Sequence, residues 1–187
     1  MMYELFVLSL LMHFPLHAYL IAKIISPWEN ISRGTLSTLL TKLEKTGLIT
    51  DADPVNVPFP TDRPSRTFAI TAKGRERFFQ LMMDTISNPG TYQKIFHIKS
   101  AHLEFLRPED QLYLVNHYLE YCHTSIRKLL NQVNNFENNP EPAKGIPGMQ
   151  FYETTHDLMN VRIEQMQLEV AWAQRLRERI VLRTETK

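Results

Sequence analysis

Seven histidines, one cysteine and several neighbouring carboxylates supply the residue types from which metal sites and nucleophiles are built. His13 and His17 are four residues apart, the spacing of two ligands on one helix face. Pro15 lies between them and interrupts the helix that such spacing needs, so neither a metal nor another cofactor is expected. His117, Tyr121 and Cys122 fall in one helical pattern, but a thiol–imidazole pair also needs an orienting group and an oxyanion donor, and neither is recognisable nearby. Glu109 and Asp110 follow Pro108, where they sit at the positive end of a helix dipole rather than as a catalytic pair. No catalytic set is legible, and the chain is not expected to be an enzyme.

A different chemistry is concentrated in "SRGTLSTLLTKLEKTGL", Ser32 to Leu48. Leu36, Leu39, Leu40 and Leu43 recur at helical spacing and predict a buried stripe. The opposite edge carries Gly34, Thr38, Thr41 and Lys45, flanked by Thr35 and Ser37, where a solvated helix would carry acid–base pairs. Short hydroxyl side chains let a helix backbone come close to a base edge or phosphate, whereas long acidic ones would repel a polyanion. The candidate DNA contacts are therefore Ser32, Arg33, Gly34, Thr35, Ser37, Thr38, Thr41, Lys42 and Lys45.

The elements that must hold this face can be read from their stop signals. Tyr3 to Met12 is nearly all apolar and ends at Phe14-Pro15; Leu16 to Ile25 predicts a second short helix. Ser32 has the side chain of an N-cap for the third helix, and Gly47 stands where a left-handed C-cap belongs. Two β-like runs follow, Leu48 to Thr50 and Thr67 to Thr71, separated by the proline-rich "DADPVNVPFPTDRPS". Thr71 caps a fourth helix reaching about Ile86, with Phe78, Phe79, Leu81 and Met82 on its apolar side. This order is that of a winged helix-turn-helix, with the third helix in the major groove and Arg63 and Arg66 in the wing.

Ser87-Asn88-Pro89-Gly90 predicts a boundary, giving a DNA-binding domain over 1–88 and a helical domain over 89–187. Helices are expected over Tyr92 to Leu106, from Pro108 to Phe136, and from Phe151 to Arg183. The last has two apolar tracks. Leu158, Val161, Leu168, Trp172 and Leu176 form one; Met159, Ile163, Met166, Val170, Ala173 and Ile180 form the other. One track suffices for a core, so the pair predicts a homodimerisation helix with the first track as its contact. Phe96, His97, Tyr113, His117, Tyr121 and Trp172 are the candidate contacts for a small aromatic effector. The fold class expected is mainly α with a two-stranded β wing.

The composition is 43% apolar and 22% charged, with a net charge of +1. The basic residues are clustered rather than numerous: Arg33, Lys42 and Lys45 against Glu44, and Arg63, Arg66, Lys73, Arg75 and Arg77 against Glu76. No apolar run approaches the roughly 18 residues of a membrane span, and Phe6 to Phe14 lacks a basic leader, so a cytoplasmic location is expected. The single cysteine precludes an intrachain disulfide and fits a reducing compartment.

Three segments resemble the PadR-like transcriptional regulators: "YELFVLSLLMHFPLHAYLIAKI", "SRGTLSTLLTKLEKTGLI" and "RPSRTFAITAKGRERF". The resemblance implies a dimeric repressor of a double-stranded DNA operator, released by a small molecule such as a phenolic acid or a drug. The chain departs from the family pattern at Ala18, where Gly is usual, at Ser37, where Tyr is usual, and at Asp62, which replaces a wing Gly. The loss of Tyr at Ser37 and the near-neutral first half also suit a second reading, a winged-helix module that docks proteins without specific DNA binding.

Overall fold

The computed structural model describes residues 2–29, 31–53, 57–58, 65–87, 89–138 and 149–185. Two compact units divide the chain, Met1–Phe105 and Leu106–Lys187. The first contains α1 (Met2–His13), β1 (Leu16–His17), α2 (Ala18–Ile25), α3 (Arg33–Lys45), β2 (Ile49–Asp51), β3 (Thr67–Ile70), α4 (Ala72–Met83) and α5 (Tyr92–Ser100). The second contains α6 (Pro108–Asn138) and α7 (Met149–Glu185).

Helix α1 is apolar on every side and is buried from Leu5 to Met12, packed against α2, α4, α5 and β3. Its one central hydroxyl, Ser9, is satisfied by donating to the Phe6 carbonyl at 2.8 Å. Around it lie Ile21 and Ile25 of α2, Leu36, Leu40 and Leu43 of α3, and Phe78, Leu81 and Met82 of α4. Phe79, expected on the buried side of α4, is instead 39% exposed.

The sheet has three antiparallel strands in the order β1-β3-β2, not the two expected. Leu16 pairs with Phe68 and His17 with Thr67, and the His17 ring and the Thr67 hydroxyl meet at 2.8 Å in the interior. Strand β1 is two residues long, too short for an alternation to register, and Pro15 delays the start of α2 to Ala18. On the other edge Ile49, Thr50 and Asp51 pair with Ile70, Ala69 and Phe68.

The compact division falls later than the turn formers at residue 88 suggest. Tyr92, Ile95, Phe96 and Ile98 of α5 are buried in the first unit, and Lys99 is enclosed with its ammonium donating to the Asp84 carbonyl at 2.6 Å. Enclosure pushes the Lys99 pKa down to about 8. A buried cation held by the end of α4 ties α5 to α4 within the first unit.

Helices α6 and α7 form an antiparallel hairpin, since Glu137 pairs with His156 at one end and Asn116 with Arg177 at the other. Leu114, Val115, Tyr118, Cys122 and Val133 are buried on α6, and Ile163, Ala173 and Ile180 on α7. Tyr118 donates its hydroxyl to Glu169 at 2.7 Å; burial and this carboxylate raise its pKa above the usual phenol range. Cys122 is buried in the same layer, and burial pushes its thiol up to about 11, so it packs as a small apolar side chain.

Candidate nucleic-acid interface

Helix α3 is fixed at both ends by its own sequence. Ser32 has extended backbone angles, and its Oγ accepts the Thr35 amide at 3.1 Å while sharing a 2.8 Å hydrogen bond with the Thr35 hydroxyl. At the other end Gly47 adopts φ +72°. The Gly47 amide donates to the Glu44 carbonyl and the Leu48 amide to the Leu43 carbonyl, the paired bonds of a Schellman turn. Lys73 adds a 2.8 Å bond to the Thr46 carbonyl.

The turn also connects to α4 through one side chain. Thr71 Oγ1 donates to the Gly47 carbonyl at 2.7 Å and accepts the Gly74 amide at 3.0 Å. Gly74 is required by close approach, because a Cβ there would lie 2.0 Å from the Leu48 carbonyl oxygen.

Between these ends Leu36, Leu40 and Leu43 are buried, as their spacing predicts, whereas Leu39 is only half-buried because it lies toward the flank of the stripe. Ser32, Arg33, Gly34, Thr35, Ser37, Thr38, Thr41, Lys42 and Lys45 are all exposed. Thr41 donates its hydroxyl proton to the Ser37 carbonyl at 3.0 Å, so it turns acceptor lone pairs and a methyl group outward. The face thus offers hydroxyl oxygens, a methyl and the bare backbone of Gly34, with Arg33 at one end and Lys42 and Lys45 at the other. Those groups match base edges and phosphates.

Beside this face a hollow of about 350 Å³ opens between α2, α3 and β3, with Ala18, Tyr19, Ser37, Leu40 and Phe68 in its lining. Ser37 leaves that space where a larger residue would occupy it.

Arg66, expected as a wing contact, is engaged within the protein. Its guanidinium reaches Glu44 at 2.6 and 3.2 Å and Asp51 at 2.7 Å, and it lies over the Phe68 ring at 4.9 Å. The two carboxylates raise its pKa above the usual arginine value and neutralise its charge. It clamps the end of α3 to the sheet and offers little free charge to a phosphate. Neither Glu44 nor Asp51 was marked by a sequence pattern; their partnership arises because β2 and β3 place Asp51 opposite Phe68. Arg63 and Asp62 lie outside the described residues.

This set of elements, an end-capped third helix on an apolar core followed by a small antiparallel sheet, spans the residues that decide the family. Residues 7–80 match the PadR-like family of transcriptional regulators. The matched segment thus runs from the second half of α1 through most of α4. Among solved structures, the chain is similar to Bacillus subtilis PadR in complex with operator DNA (17% identity, 94% of this chain and 96% of that one, TM-score 0.40). It is similar to B. subtilis PadR in complex with p-coumaric acid (16%, 96% and 99%, 0.40). A PadR-like regulator from Bacillus cereus gives 17%, 92% and 98%, and 0.36. No curated protein sequence matches the chain. With identities and TM-scores this low, the family assignment stands on residues 7–80.

The aromatic side chains named as effector contacts divide between the two units. Phe96 is fully buried in the first unit, and His97, also there, borders a cavity of about 270 Å³ with Met2, Phe6 and Trp28. In the second unit Tyr113 is half exposed and stands 6.2 Å from the His117 ring, while Tyr121 stacks on Tyr118 and Trp172 meets Tyr118 edge-on. Tyr118, absent from the expected set, is the centre of that aromatic group.

On α7 the two apolar tracks separate. Ile163, Ala173 and Ile180 are buried, whereas Leu158, Val161 and Leu168 are 51%, 45% and 70% exposed; Trp172 and Leu176 are half-buried. No helix among the described residues is long and apolar enough to cross a membrane.

Proposed function

We propose that the protein is a homodimeric, sequence-specific DNA-binding transcriptional repressor released by a small aromatic effector, with the exposed face of α3 as its reading surface. The observation that carries this reading is that every hydroxyl, glycine and basic residue named on α3 is exposed while the helix is locked at both ends and seated on buried leucines. A rigid helix with a short-side-chain face presents its backbone to a groove without first losing side-chain entropy. Arg33, Lys42 and Lys45 supply the salt-dependent part of the affinity. Arg63 remains the proposed wing contact, and the Arg66 clamp holds the wing root.

The exposed track of Leu158, Val161 and Leu168 supports pairing of two copies through α7. A two-helix hairpin buries one stripe of each helix, and a second apolar stripe left in water is covered when two copies associate. For the effector, the Tyr118, Tyr121 and Trp172 group gives an aromatic surface, with Tyr113 and His117 beside it.

The test is a mobility-shift titration of the full chain with DNA from upstream of its own coding sequence, against a scrambled duplex, from 50 to 300 mM salt. Preference for the upstream DNA with affinity falling steeply in salt is expected. Equal affinity for both duplexes with no salt dependence would overturn the reading and leave a protein-docking winged helix in its place.

A further inference from the structure

We propose that His13, His102 and Glu104 form a binding site for a zinc-class divalent metal ion. The three side chains come from two places distant in sequence, the last residue of α1 and the turn after α5, and the first unit folds them together. His13 Nε2 lies 3.3 Å from His102 Nδ1 and 3.7 Å from Glu104 Oε1, and one ligand atom from each residue lies within 4.8 Å of the others. Zinc bonds of about 2.0–2.1 Å in a tetrahedral arrangement separate neighbouring ligand atoms by about 3.4 Å. Two edges of the triangle, 3.3 and 3.7 Å, are already close to that length, and Glu104 is exposed enough to close the third.

Hydrogen bonding alone accounts for less of this arrangement. One proton between His13 Nε2 and His102 Nδ1 satisfies that pair and leaves the Glu104 oxygen at 3.7 Å, beyond hydrogen-bond length. A cation satisfies all three at once. The donor set, two imidazoles and one carboxylate, suits zinc or cobalt rather than magnesium or calcium, which prefer all-oxygen shells.

The ligands are held by their surroundings. The His13 ring meets Phe105 edge-on at 4.7 Å, and Phe105 meets the buried Phe78 edge-on at 5.7 Å. The His102 amide donates to the Lys99 carbonyl at 3.0 Å, fixing the turn that carries the second and third ligands. His13 and Glu104 are exposed, so a fourth position faces water, and a bound ion would tie the end of α1 to residues 102–104.

The test uses the full chain without a histidine tag, stripped with chelator and titrated with Zn²⁺ against a chromophoric competitor, and separately with Co²⁺ followed by visible absorption. Expected are one tight site per chain, four-coordinate cobalt bands, no competition from Mg²⁺, and a rise in melting temperature of about 5 °C with saturating zinc. His13→Gln and Glu104→Gln each weaken binding at least tenfold while melting like wild type in chelator; His156→Gln, beside the carboxylates of the other unit, leaves the titration unchanged. Absence of a tight site, or a site that survives both His13→Gln and Glu104→Gln, would overturn the proposal.

Discussion

The outer face of α3 and the outer track of α7 are both exposed, yet water treats them differently. Ser37, Thr38 and Thr41 are hydrated at no cost, whereas Leu158, Val161 and Leu168 keep apolar surface in contact with water. The first face loses nothing while it waits for a polyanion and gains only from a partner that supplies matching polar groups. The second gains from any apolar cover, which in the proposed homodimer is the same track of a second copy. The same degree of exposure therefore supports an intermittent partner in one place and a standing one in the other.

That contrast can be broken most severely on α7. If the proposed dimer forms through α7, Leu158→Glu combined with Leu168→Glu should convert it to monomer in sedimentation at micromolar concentration, with helicity retained; a persisting dimer would remove the outer track from the interface. Next in size, Thr38→Glu should lower operator affinity at least 100-fold in mobility shifts without altering the dimer, because a carboxylate would face phosphates at close range. Unchanged affinity would mean that the hydroxyl face is not in the groove.

Smaller effects sharpen the distinction between free and committed charge. Lys45→Gln should make the slope of log affinity against log salt shallower by about 0.9, one phosphate contact. Arg66→Gln should leave that slope unchanged, since Glu44 and Asp51 already neutralise the guanidinium. A slope change at Arg66 equal to that at Lys45 would show that the clamp opens on DNA.

Much of this was readable from local signals. Ser32, Gly47 and Thr71 act within a few residues of themselves, so their capping roles follow from type and position, and the helix boundaries follow with them. The exposed face of α3 was legible because its periodicity is local too. What could not be read depends on residues meeting across the fold. Arg66 finds Glu44 and Asp51 only through strand pairing, and Tyr118 finds Glu169 only through the α6–α7 hairpin. His13 was weighed against His17, its neighbour in sequence, but the fold turns it to His102, 89 residues away. The compact units divide at Phe105 and Leu106, later than the turn formers at 87–90 suggest, for a related reason. Four turn formers mark a corner equally well inside a unit or between two, and Lys99 beyond them is buried in the first unit.

The hydroxyl of Thr71 sits between the last turn of α3 and the first turn of α4, bonded to both. In terms of motion, the two helix ends form one cooperative element: an opening that frees the Gly74 amide also releases the Gly47 carbonyl. Hydrogen exchange at the start of α4 therefore reports on the end of α3, although the two lie on opposite sides of the wing in the sequence.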